Sequence, residues 1–339
     1  EAAIAAVRAM RRRELLRIAC ADLLGLVDVR QVGRALSDLT DAVLHTTLAI
    51  AQSSVDSPVP IAIIGMGRLG GRETSYASDA DVLFVYDGSA DDAPAAQSVI
   101  DTMRRLLSSP AAEPALVLDP SLRPEGRQGP LVRSLAAYRR YYARWSRPWE
   151  SQALLRARFA AGNVRLGADF MALADGIRYP MGGLSAEQLV ELRRIKARVD
   201  TERLPRGADR ATHVKLGPGG LTDVEWSAQL IQLRHGHAVE GLRTTSTLEA
   251  IAAARDAELI TDTEHDELRA AWLGASRIRD ALTLSRGTPS DQLPRQGPEL
   301  AGMLAALGEP DAEDPGEYVD EYLRVARHAH AAAERVFYE

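Results

Sequence analysis

The sequence predicts an α+β fold, mostly helical, in which a small sheet unit lies between N-terminal helices and a C-terminal helical bundle. Three observations carry this expectation. Apolar residues recur at helical spacing through residues 1–52, short β-branched runs take over from residue 61, and the helical period returns from 163 almost to the end. The expected organisation is therefore 1–52, 53–162 and 163–339.

In the first segment Leu15, Leu16, Ile18 and Ala19, then Leu36, Leu39, Val43 and Leu44, mark two or three helices. A turn-rich stretch from Ser53 to Pro60 ends them. Strands are expected at Ile61 to Ile64, Val82 to Tyr86 and Ala115 to Leu118, with a helix from about Ala95 to Leu107 between the last two. Proline and glycine crowd residues 119–130 into a loop. Residues 131–160 read as helical, rich in arginine and aromatics and broken near Pro148. Helices are then expected at 164–174, 185–203, 223–235, 245–257, 262–286, 298–307 and 316–337, separated by clusters such as Gly217 to Gly220 and Gly308 to Gly316.

Composition narrows the function classes. The 339 residues are 46% apolar and 26% charged, an ordinary balance for a chain that buries a core. The formal charge of −6 argues against a general nucleic-acid binder, which would need basic residues to neutralise phosphates. Cys20 is the single cysteine, no leader is visible, and no apolar run of about twenty residues occurs, so no membrane role is expected and the cytoplasm is the default compartment. The start at Glu1, inside a helical pattern, suggests a piece of a longer protein.

The chemistry concentrates in residues 61–88, IAIIGMGRLGGRETSYASDADVLFVYDG. Gly65-x-Gly67-x-x-Gly70 follows an apolar run, and Asp87 stands about twenty residues on, as in a dinucleotide-binding fingerprint. That motif needs a helix packed on the sheet after its glycines. Residues 71–81 offer only Tyr76 and two alanines as apolar groups, so the helix is not expected, although Asp87 keeps a dehydrogenase open as an alternative. Asp79 and Asp81 suggest other chemistry. On a strand, residues i and i+2 share a face, and two adjacent carboxylates favour a cation such as Mg²⁺. Asp119, at the end of ALVLD, is the candidate third carboxylate. Paired metals of this kind hold the attacking and leaving oxygens of an in-line displacement at phosphorus, and Gly70 and Gly71 would let the backbone approach a triphosphate. The structural alternative is that the aspartates cap turns beside strands.

The order strand, glycine pair, Asp-x-Asp, strand and later strand-borne Asp resembles the nucleotidyltransferase pattern of the DNA polymerase beta superfamily. GMGRLGGRETSYASDADVLFVYD, with RIACADLLGLVDV, LDPSLRPEGRQGPLV, WESQALLRAR and KLGPGGLTDVEW, is similar to the glutamine synthetase adenylyltransferase (glutamate–ammonia ligase adenylyltransferase) family over most of the chain. The resemblance implies a polymerase-beta-like nucleotidyltransferase domain at 53–162. It also implies ATP as substrate, Mg²⁺ or Mn²⁺ held by Asp79, Asp81 and Asp119, and a triphosphate loop at Gly70 and Gly71. Family enzymes carry two such halves. WESQALLRAR and GGLTDVEW look like the C-terminal half, which attaches AMP to a tyrosine of glutamine synthetase, whereas the other half removes it by phosphorolysis. The PII signalling protein and glutamine are implied effectors of the full enzyme. Arg68 replaces a usual lysine, and Ser121 replaces a usual arginine two residues after the third aspartate, leaving Arg123 as the expected phosphate contact there. The alternatives are a nucleotidyltransferase with a small-molecule or RNA substrate, the phosphorolytic deadenylylating half, and a non-catalytic regulatory module.

Further nucleotide-binding candidates are Ser78, Arg156, Arg158, Lys215 and Asp223. A guanidinium fork matches phosphate oxygens, but on a helix Arg156 and Arg158 would not share a face, so one of them is expected to be structural. Helical spacing of Tyr138, Tyr141, Tyr142 and Trp145 favours core packing over base stacking. Thr222 and Glu225 match a capping box. The seven histidines form no ligand set and are expected on the surface or in the core, which weighs against the related uridylyltransferase of the PII regulator.

Overall fold

A computed structural model describes residues 2–55, 59–108, 115–309 and 314–338. The chain divides into two compact units. The first comprises Glu1–Ile18, Val32–Thr74 and Ser78–Arg178, and the second Ala19–Gln31, Ser75–Ala77 and Tyr179–Glu339.

The first unit is built on five strands. These are β1 (Ile61–Gly65), β2 (Ala80–Tyr86), β3 (Leu118–Asp119), β4 (Val132–Ser134) and β5 (Arg158–Gly162), in the order β3-β2-β1-β5 with β4 also on β2. β1 runs antiparallel to β2, from Ile61 opposite Tyr86 to Gly65 opposite Val82. This pairing excludes the dinucleotide-binding fold, whose first two strands are parallel and joined by a crossover helix. β3 and β4 both run parallel to β2 and share its free edge: Asp81 pairs with Asp119 near one end, Tyr86 with Ser134 at the other. The segment 120–131 therefore leaves the sheet and returns to it.

Alternation along β1 and β2 sends Ala62, Ile64, Leu83 and Val85 into one core with Leu135, Tyr138, Leu166 and Phe170, while Ile61, Ile63, Val82 and Phe84 are buried as well. Both faces are covered, which is why the runs are continuously apolar. Helices α5 (Leu135–Trp145) and α7 (Val164–Arg178) close the first face through Tyr138 and Phe170, whose rings meet edge to face at 5.1 Å. The expected core role holds for Tyr138 and Tyr142. Trp145, by contrast, is 67% exposed, because α5 ends there.

The N-terminal pattern gives two helices, α1 (Ala2–Leu23) and α2 (Val29–Ser54). The expected 95–107 helix is α4 (Ala93–Ser108); α3 is a single turn, Gly67–Gly70. Residues 56–58 of the expected turn lie outside the described residues, as do 310–313 of the later one. Ala115 to Val117 precede rather than form β3. The helical reading of 131–160 is corrected: α5 and α6 (Pro148–Leu154) are flanked by β4 and β5, two strands too short and too arginine-rich to show a period.

The second unit holds α8 (Ala186–Glu202), α9 (Leu221–His235), α10 (Thr247–Asp256), α11 (Asp262–Arg286), α12 (Pro298–Ala306) and α13 (Pro315–Tyr338), all at the expected places. The core shared by α9 to α13 includes Val224, Ile251, Leu268, Trp272, Met303 and Ala329.

Phe170 is fully buried, so Phe170→Ala removes a ring contact and leaves a cavity. A loss of about 3–5 kcal/mol is expected in chemical denaturation of the chain.

Candidate active site

The glycine-rich turn is fixed by contacts that only glycines permit. β1 ends at Gly65, and the Met66 N–H donates to the Asp81 carbonyl at 2.8 Å, tying the turn to β2. Gly67 adopts φ +50°, a left-handed conformation, and a Cβ there would collide with Asp81 Oδ2. The Asp81 carboxylate thus lies against the space the missing side chain leaves. A Cβ on Gly70 would collide with the Arg156 carbonyl oxygen, so Gly70 is explained by close packing of the turn on the residues before β5. The Gly70 and Gly71 N–H groups donate to Met66 O at 2.8 Å and Gly67 O at 3.1 Å. Both glycines are buried, and their N–H groups are already engaged within the turn.

The strands bring two of the three expected carboxylates together. Asp81 and Asp119 are register partners on adjacent parallel strands, so they share a sheet face. Both are half-buried, and Asp119 Oδ1 accepts the Ser121 N–H at 2.8 Å, which orients that carboxylate. Asp79 is exposed, one residue before β2, and Ser78 precedes it half-buried. Among the described residues no group of three or more His, Cys, Asp or Glu side chains is assembled to hold an ion. The donor set still fits Mg²⁺, which takes one or two carboxylates together with waters and substrate phosphates and rarely has an all-protein cage. All-oxygen ligands suit Mn²⁺ as well.

The arginines nominated for phosphate are spent elsewhere. Arg123 is buried, and its guanidinium donates to Gly129 O at 3.1 Å, Pro120 O at 2.8 Å and Arg127 O at 3.1 Å, organising the loop after Asp119. Arg156 forms a 2.5 Å ion pair with Glu73, both side chains 6% exposed. Arg158 grips Asp41 of α2 at 2.7 and 3.1 Å and donates to Leu69 O at 3.1 Å and Gly70 O at 3.3 Å. Burial pushes the Asp41 carboxyl up while Arg158 opposes it. All three arginines therefore brace loops. The region is a turn and a strand, so the helical argument that separated Arg156 from Arg158 does not apply. Sequence reasoning missed Glu73 and Asp41, because neither the ET of GGRET nor a single aspartate on α2 leaves a signal of its distant partner.

Lys215 and Asp223 belong to the second unit. Asp223, nominated for the nucleotide, is buried in a network: it takes Lys196 Nζ at 2.7 Å, the Gly219 N–H at 2.7 Å and His330 Nδ1 at 2.8 Å. Lys196 is also held by both oxygens of Asp200 at 2.7 Å. The expected capping box is corrected too. Gly220 is the N-cap of α9, Thr222 lies inside the helix, and the Asp223 carboxylate reaches back to Gly219 instead. Burial pushes the Asp223 carboxyl up, but His330, Lys196 and Gly219 outweigh it and hold it below the usual range. The bond to Asp223 raises His330 above its ordinary value against the effect of burial.

Comparison with known proteins places this geometry. A family model described as Glutamate-ammonia ligase adenylyltransferase matches residues 1–173, just over half of the chain. The chain belongs to this family. A second model, GlnD PII-uridylyltransferase, matches residues 193–337, within the helical second unit. The chain is 51% identical over 346 residues to a bifunctional glutamine synthetase adenylyltransferase/adenylyl-removing enzyme of Nocardia farcinica, covering 99% of this chain and 34% of that protein. A Mycolicibacterium smegmatis enzyme of the same name is 52% identical, covering 99% and 34%. One from Streptomyces coelicolor is 51% identical, covering 99% and 36%. The chain thus spans about a third of the length of the adenylyltransferases it matches. No helix among the described residues is long and apolar enough to cross a membrane.

Two outcomes follow from this geometry. Gly70→Ala must displace backbone on both sides, so overpacking should cost about 1–3 kcal/mol, read as a lowered thermal midpoint. For the second unit, the raised His330 contributes stability below its unfolded value of about 6.5 that is lost as pH rises through its folded value. The depressed Asp223 contributes above about 3.9, and that part is lost as pH falls through its folded value. The fall in melting temperature from pH 6 to pH 8 should shrink in His330→Gln.

Proposed function

We propose that this chain transfers AMP from ATP to a tyrosine hydroxyl of glutamine synthetase, releasing pyrophosphate. The observation that carries this reading is the in-register pairing of Asp81 with Asp119 beside a glycine turn, in a chain of this family. The names of the relatives supply the protein substrate. The residues 53–162 serve as the nucleotidyltransferase domain, and the motifs WESQALLRAR and GGLTDVEW favour the adenylylating half.

ATP binds with its phosphates over the turn at Gly70 and Gly71, with Asp79 and Asp81 on the strand side and Ser78 beside them. Bound Mg²⁺ or Mn²⁺, held by Asp79, Asp81 and Asp119, would neutralise phosphate charge and polarise the phosphorus. A free phenol titrates near pH 10 and is mostly protonated at neutral pH, so it needs a base. Asp119, oriented by the Ser121 N–H, accepts the tyrosine proton. The phenolate oxygen then bonds to the α-phosphorus as the bond to the pyrophosphate oxygen breaks, and the displaced pyrophosphate carries that electron pair. Arg156 and Arg158 keep the turn in place. Control by the PII protein and glutamine belongs to the full-length enzyme, and its setting is the cytoplasm.

Incubation with glutamine synthetase, α-labelled ATP and Mg²⁺ tests this. Label should appear on a tyrosine, and Asp79→Asn and Asp81→Asn should each lower the rate at least about 100-fold, the scale of losing an electrostatic contact to the transition state. Undiminished labelling by both variants would falsify the assignment. Omission of divalent metal should abolish transfer.

A further inference from the structure

Arg123, Arg156 and Arg158 are turned inward, so none of them is displayed on the Asp119 side of the site. The loop 120–131 supplies a candidate that the sequence did not nominate. Its chain leaves β3 directly after Asp119, turns through Glu125 at φ 63° and Gly126 at φ 56°, and re-enters the sheet at β4. Three internal clasps hold it: the buried Arg123 on Pro120, Arg127 and Gly129 carbonyls, Ser121 N–H on Asp119, and Arg133 on Glu125. The loop is thus shaped from within. Arg127 is the arginine it displays: exposed beside Glu125, Gln128 and Pro130, with its carbonyl fixed by Arg123 and its Nε 3.4 Å from Ser121 Oγ. Among the described residues that long contact is the one hydrogen bond its guanidinium makes. Ser121 joins the two ends of the relay, since its N–H holds the Asp119 carboxylate and its hydroxyl steadies Arg127.

We propose that Arg127 binds phosphate oxygens of the nucleoside triphosphate, as the guanidinium on the Asp119 side of the site. The proposal rests on the reading of the site as ATP-binding. It deepens that reading by assigning the phosphate contact to a residue outside the expected set. An exposed guanidinium with one weak bond loses little on exchanging it for a bidentate charge-assisted pair with phosphate. Arg123 contributes as a positioning residue, because it fixes the Arg127 backbone without reaching solvent itself.

The test is equilibrium binding of Mg·ATP and of adenosine to the 339-residue chain by calorimetry, in wild type, Arg127→Ala, Arg127→Lys and Arg139→Ala. Arg139 is an exposed arginine on α5 and serves as the control. Arg127→Ala should weaken Mg·ATP about tenfold, the scale of one charge-assisted hydrogen bond, and leave adenosine unchanged. Arg127→Lys should recover part of the loss, because it keeps the charge without the fork. Arg139→Ala should bind both ligands as wild type does, and the thermal midpoint of Arg127→Ala should not move. An Arg127→Ala chain that binds Mg·ATP as tightly as wild type overturns the assignment of Arg127 alone. Equal losses for ATP and adenosine also overturn it, since they would mark a collapsed loop. Failure of the wild-type chain to bind Mg·ATP overturns the ATP reading and this proposal together.

Discussion

The first unit depends on holding two aspartates in register on neighbouring strands, an arrangement that like charges oppose. Asp81 and Asp119 are Cα partners on a parallel pair, and their mutual repulsion disfavours the pairing on which their placement relies. The surroundings supply what the pair lacks. β2 is buried along almost its whole length, so its position is set by apolar packing on both faces. The Met66 N–H and the open space at Gly67 then fix Asp81, and the Ser121 N–H fixes Asp119. Charge is placed by neutral contacts, which remain in force whether or not a cation is bound.

Two ion pairs extend the same logic behind the turn. Glu73 with Arg156, and Asp41 with Arg158, tie the segment after the glycines to the approach to β5 and to α2. The Glu73–Arg156 pair is buried and the Asp41–Arg158 pair half-buried, and removing one partner of a buried pair leaves an uncompensated charge. The guanidiniums also cap backbone carbonyls, as Arg158 does for Leu69 and Gly70. Arginine suits this task because one planar group can satisfy a carboxylate and neighbouring carbonyls together.

The helices of the second unit were legible because each is long enough for the 3.6-residue period to repeat, and the match from α8 to α13 follows from that. β1 and β2 were legible from their β-branched runs. β4 and β5 were not, since three residues, or five bounded by Arg158 and Gly162, carry no period and take their conformation from the strand beside them. At the candidate site, Asp119 could be read from its place at the end of ALVLD, whereas the i, i+2 spacing that set Asp79 beside Asp81 on a strand does not hold, because β2 begins at Ala80. The roles of the arginines could not be read. Whether a guanidinium faces solvent or folds back on carbonyls depends on partners such as Glu73, 83 residues away in sequence from Arg156, and Asp41, 117 away from Arg158. His330 was hidden for the same reason, its partner Asp223 lying 107 residues earlier.

The way the sheet ends has a consequence for behaviour in solution. An edge strand with a free row of N–H and C=O groups is a template on which another chain can add, and long flat apolar edges lead to aggregation. The longest strand here, β2, would be such a template if its outer side were open. Instead it is covered by β3 and β4, of two and three residues, with the 120–131 excursion between them. The opposite edge is β5, which is shifted in register by an irregularity opposite Ile63 and Ile64 and ends at Gly162 with φ +93°. Neither border offers a long, regular, apolar ladder. The same interruption that carries Asp119 and its loop thus also shields a strongly hydrophobic sheet from pairing with its own copies.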